Sequence, residues 1–141
     1  MSRLSLRQIV GITIWWTEGT KAYKDNRWET LVCPVDVTNT DPRVIKSFLE
    51  FLRKDIGINE SRLKLQLQIH HGDNQEQIEK YWSAVTKIPL ERFTKTIIRP
   101  AGNKIGKNKG TCKVRYSDKP TYLRLEKLWQ GVQTILEKQG S

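Results

Sequence analysis

Ile9-Val10-Gly11-Ile12-Thr13-Ile14-Trp15-Trp16-Thr17-Glu18-Gly19 carries no charge until its one carboxylate, and stops at glycine. At 100° per residue it predicts a helix from about Ser5 to Glu18 with two apolar faces. Ile9, Ile12 and Trp16 share one face; Val10, Thr13, Ile14 and Thr17 make a second, smaller one. A helix apolar on two faces is buried on two sides. The run is far shorter than the about 20 apolar residues needed to cross a bilayer, and Arg3, Arg7 and Lys21 flank it. Glu18 falls where the helix dipole disfavours an anion, and Gly19 suits a left-handed turn after it. A carboxylate set against that preference points to chemistry. A core helix with a solvated Glu before its cap has the same spacing.

Outward from this helix, the chain alternates helices and strands. Residues 30–38 predict a strand with Leu31, Cys33, Val35 and Val37 on one side, and Pro34 places it near an edge or bulge. A short preceding strand near 21–23 would turn through Asp25-Asn26. Asn39-Thr40-Asp41-Pro42 starts a helix that buries Val44, Ile45, Phe48, Leu49 and Leu52, and Gly57 stops it. Leu63, Leu65, Leu67 and Ile69 alternate with Lys64, Gln66, Gln68 and His70, the clearest strand in the chain. Asp73, with Glu76 three residues on, caps a helix carrying Ile78, Tyr81, Trp82 and Val85 that ends at Pro89. A strand over 94–99 and a Gly/Lys/Asn loop over 101–110 follow. Cys112, Val114 and Tyr116 then alternate with Lys113, Arg115 and Ser117, and a last helix from Pro120 repeats Tyr122, Leu125, Trp129, Val132 and Leu136.

The 141 residues suit one domain, residues 1–141, with its own core. The net charge is +10. Between Lys87 and Lys119 ten cations face only Glu91 and Asp118, so most of that charge is concentrated there. Such a field favours a polyanion. Outward rows Lys64, Gln66, Gln68, His70 and Thr111, Lys113, Arg115, Ser117 contain no acid. Their side chains suit phosphates and base edges, although a polar sheet face on a basic protein has the same composition. The 101–110 loop lacks the Walker ending, and its Lys104, Lys107 and Lys109 suit a basic arm along a DNA backbone. Cys33 and Cys112 lack metal-ligand spacing and predict reduced core thiols. No signal-peptide or membrane pattern is visible. The expected setting is cytoplasmic, or an organelle or nucleoid with DNA, with no membrane partner and no small-molecule cofactor.

Gly11-Ile-Thr-Ile-Trp-Trp-Thr-Glu18-Gly19 resembles the LAGLIDADG motif of homing endonucleases. Residues 35–43 and the helix after them resemble that family's strand-to-helix junction, and 110–117 with the last helix resemble its final strand and helix. The resemblance implies an α+β fold, αββαββα, with an antiparallel DNA-binding sheet and an extra helix between its third and fourth strands. It implies a homodimer joined through Val10, Thr13, Ile14 and Thr17, bound to double-stranded DNA. It also implies a catalytic Glu18 that, with Gly19, holds Mg2+ or another divalent metal for phosphodiester hydrolysis. DNA contacts would come from Lys64, Gln66, Gln68, His70, Lys104, Lys107, Lys109, Lys113 and Arg115. Thr13 replaces a glycine of the motif, and Trp16 stands at its earlier acid. The alternative is a catalytically silent transcriptional regulator of the same fold; an RNA-binding protein would use the same basic sheet.

Overall fold

The alternation at 63–70 forms a strand whose odd residues are fully buried, and the other elements assemble on that face. In the computed structural model, which describes residues 3–25, 30–100 and 109–139, the helices are α1 (Leu6–Glu18), α2 (Pro42–Phe51), α3 (Gln75–Thr86) and α4 (Lys119–Gln139). The strands are β1 (Tyr23–Asp25), β2 (Thr30–Val32), β3 (Pro34–Asn39), β4 (Leu63–His70), β5 (Ile97–Arg99) and β6 (Thr111–Ser117). The protein is α+β. β1 and β2 form an antiparallel ribbon, and the larger sheet runs β3-β6-β4-β5. No described helix is long and apolar enough to cross a membrane.

The larger sheet is mixed, not antiparallel throughout. β4 pairs antiparallel with β6, but β5 runs parallel to β4, with Gln68, Ile69 and His70 opposite Ile97, Ile98 and Arg99. The cause is α3, which carries the chain back along the sheet so that β5 starts at the same end as β4. The strand expected over 94–99 keeps only its last three residues. The strand expected over 30–38 breaks at Cys33, ahead of Pro34, into β2 and β3.

Val35, Val37, the odd residues of β4, and Cys112, Val114 and Tyr116 of β6 meet Ile12 and Trp15, Ile45, Phe48, Leu49 and Phe51, Trp82, and Tyr122 and Leu125 in one core. All four helices therefore cover a single side of the sheet. Burial raises the Cys112 thiol far above its ordinary range, and both cysteines are free.

Local signals set the helix ends. Ser5 Oγ accepts from Gln8 N at 3.1 Å while Ser5 N donates to Gln8 Oε1 at 2.8 Å, a reciprocal cap on α1. Asp41 caps α2 with Pro42 first in the helix, and Gly57 closes the following π turn, Leu52–Ile56, at φ 77°. The cap of α3 is Asn74, whose side chain accepts from Gln77 N. Asp73, expected in that role, instead accepts from His70 N at 2.9 Å and closes the turn leaving β4. Leu136, expected inward on α4, is exposed.

α1 is rotated from the expected facing. Gly11, Ile12 and Trp15 point inward, while Ile9 is 40% exposed. Gly11 accounts for this: a Cβ there would lie 2.2 Å from Phe51 Cγ, so α1 seats on α2 through the one position without a side chain. Gly131 in α4 has nothing within 4 Å of such a Cβ. Gly11→Ala should therefore destabilise the fold by at least about 1 kcal/mol, despite alanine's better helix propensity. Gly131→Ala should stabilise it by about 0.5–1 kcal/mol. Urea titrations of the two variants check both signs, and Phe51→Leu should make the cost of Gly11→Ala smaller.

Candidate nucleic-acid interface

The sheet side away from the helices carries the even residues of β4 and the odd residues of β6, because alternation sends their neighbours into the core. Lys64 is opposite Arg115, Gln66 opposite Lys113, and Gln68 opposite Thr111. Six of the nine DNA-contact residues read from the sequence thus share one face: Lys64, Gln66, Gln68, His70, Lys113 and Arg115. Lys109 lies apart. Its ammonium stands 5.6 Å from the Tyr81 ring of α3, and its carbonyl accepts from Trp82 Nε1 at 2.7 Å. Lys104 and Lys107 are outside the described residues.

The face is not free of acid. β3 adds Asp36 and Thr38 to the same rows, opposite Arg115 and Lys113. Asp36 is 2% exposed. Its Oδ1 accepts from Thr20 N at 3.0 Å, and its Oδ2 lies 3.8 Å from Lys113 Nζ. The carboxylate holds the chain leaving α1 against the β3 edge and takes up part of one cation's charge. Lys64, Arg115 and Gln68 have no side-chain partner among the described residues. Gln66 Nε2 donates to the Lys95 carbonyl at 3.0 Å.

β5 adds Arg99 beside His70 and Ile97 beside Gln68. Neither was found from the sequence, because a three-residue edge strand leaves too short an alternation to orient. Asp36 could have been found, since its own strand places it in step with Thr38. The face therefore presents Lys64, Arg99, Lys113 and Arg115 against one buried carboxylate.

Glu18 ends α1, exposed, with no partner among the described residues. Gly19 is extended at φ −87° rather than left-handed. Its lack of a side chain serves close approach: a Cβ would sit 2.4 Å from the Trp15 carbonyl and 2.9 Å from that of Asp36. The Gly19 carbonyl accepts from Lys21 Nζ at 3.0 Å, and the same ammonium donates to the Trp16 carbonyl and lies 4.6 Å from the Trp16 ring centre. Lys21 thus supplies the cation that the C-terminal end of α1 favours. Burial lowers its pKa, with Asp36 opposing.

Of the four expected dimer residues, Val10, Thr13 and Thr17 are exposed along one stripe of α1 with Leu6, while Ile14 is half-buried against the core. Thr13 Oγ1 donates to the Ile9 carbonyl at 2.7 Å, and Thr17 Oγ1 to that of Thr13 at 2.9 Å. Trp16 stacks on Trp129 of α4, ring centres 5.3 Å apart. No protein-family model, curated protein or solved structure matches this chain.

Proposed function

We propose that this is a sequence-specific duplex DNA-binding protein that works as a homodimer and cleaves DNA with Glu18 and a divalent metal. The supporting observation is the open sheet face, with four cations, amides and hydroxyls around one buried acid. A twisted sheet of this kind fits a major groove. Lys64 and Arg115, side by side and without an ion-pair partner among the described residues, suit phosphates and guanine, and the Gln68 carboxamide suits adenine.

The Leu6, Val10, Thr13 and Thr17 stripe supports the dimer. Its hydroxyls are already satisfied inside the helix, so a second copy can cover them without orphaning a polar group. A twofold axis beside the stripe brings two copies of Glu18 to one region.

Glu18 fits a metal role as an exposed, hard oxygen donor. The Gly19 carbonyl fits less well, because Lys21 already occupies it. A divalent cation held at Glu18 would supply Lewis-acid stabilisation of a phosphoryl oxygen. The silent regulator stays as a second reading, favoured by the Trp16–Trp129 stack where the motif's earlier acid would stand.

Three measurements separate these parts. Sedimentation should give a dimer for the wild type at tens of micromolar, on the order of ordinary assay concentrations, and a folded monomer for Thr17→Arg; a monomeric wild type removes the dimer. In duplex binding, Arg115→Ala should cost about 1–3 kcal/mol and relax specificity at one base pair, whereas Lys64→Ala should weaken all sequences alike and reduce the salt slope by about one. Unchanged binding by both variants removes the sheet-face assignment. In a randomised-duplex cleavage selection with Mg2+ or Mn2+, Glu18→Gln should abolish cleavage and keep or slightly raise affinity. A wild type that binds tightly yet never cuts is the silent regulator.

A further inference from the structure

Among the described residues, an aliphatic side chain stands beside the polar groups of the sheet face. Ile97 is 37% exposed and sits directly beside Gln68. With Thr38, Gln66, Thr111 and Lys113 the pair lines a recess of about 210 Å³. Other groups around it are engaged: Gln66 Nε2 by the Lys95 carbonyl, and Lys113 by Asp36. Gln68 keeps donor and acceptor free among the described residues, and Ile97 offers an uncovered apolar surface.

We propose that Gln68 and Ile97 together recognise adenine and thymine in the major groove, Gln68 pairing with an adenine edge and Ile97 packing on a thymine methyl. This rests on the DNA-binding reading above and adds a base preference to it. In the major groove adenine presents N6 and N7, matched by a carboxamide, and only thymine presents a methyl group. A cytosine amine against Ile97 would lose water and gain no partner. Neighbouring strands lie about 4.8 Å apart, against a rise of about 3.4 Å per base pair. The two side chains therefore reach one base pair or adjacent ones.

The test begins with the wild-type chain and a duplex selected from a random pool. Each thymine of the selected site is then replaced singly by deoxyuridine, which removes only the methyl group. One position should weaken binding about fourfold, the effect of uncovering one methyl-sized group. Ile97→Ala should narrow the difference between the thymine and uracil duplexes and Ile97→Asn should abolish it, and Gln68→Ala should lose preference for an adenine in that pair or the next. The proposal is overturned if no thymine responds, or if the response persists undiminished in Ile97→Ala. A wild type that retains no duplex at all overturns the DNA-binding reading, and this inference with it.

Discussion

A four-stranded sheet has two faces, and this chain carries apolar residues enough to cover one. Leu63, Leu65, Leu67 and Ile69 point to the helices and are at most 1% exposed. Each such burial is worth about 1.5–3 kcal/mol, so a one-residue slip of β4 against β6 would exchange that whole set for Lys64, Gln66, Gln68 and His70. The polar row is consequently as strictly placed as the core. Lys64 on that row has no side-chain partner among the described residues; it is the other side of a strand positioned by leucines.

Asp36 is the exception on that face. Its removal from water would be costly without partners, and it has two, the Thr20 amide and the Lys113 ammonium. The same residue couples the polar face to the end of α1, where Gly19 is pressed against its backbone carbonyl. The sheet surface and the Glu18 end of α1 are thus mechanically joined across one strand. Lys21 completes the joint by binding the last carbonyls of α1 while feeling the Asp36 charge.

The elements legible in the sequence were those governed by local rules. Period-two alternation identified β4 and β6 to within a residue, and Asp41-Pro42 and Gly57 bounded the second helical segment. Facing on α1 was misread because Gly11 contributes nothing to a hydrophobic pattern, yet leaves no room for a side chain against Phe51. Asp73 and Asn74 are equally good caps on paper; the turn after β4 decided between them. The parallel pairing of β5 depends on where α3 delivers the chain, a non-local matter. On the candidate site, two of the strands were legible, and alternation along β3 already sets Asp36 in step with Thr38, while Arg99 entered through a pairing with β5 that no single strand reveals.

Glu18 differs in kind from the other acids near the site. Asp36 bridges α1 to the sheet, Asp41 caps α2, Asp55 holds Arg7 through two hydrogen bonds, and Asp118 accepts from the first turn of α4. Each lowers the free energy of the folded monomer. Glu18 has no such contact among the described residues, and its position at the C-terminal end of α1 opposes the helix dipole by about 0.3–1 kcal/mol. Lys21 occupies the helix-end carbonyls rather than the carboxylate itself, so the cation that the helix end favours is supplied without neutralising Glu18. Among the described residues, the monomer therefore holds an anion without an ion-pair partner at the end of the Leu6, Val10, Thr13 and Thr17 stripe. On the proposed cleavage reading, a divalent cation would give that anion a function. On the silent-regulator reading it is a solvated surface charge, with a small cost to the helix that bears it.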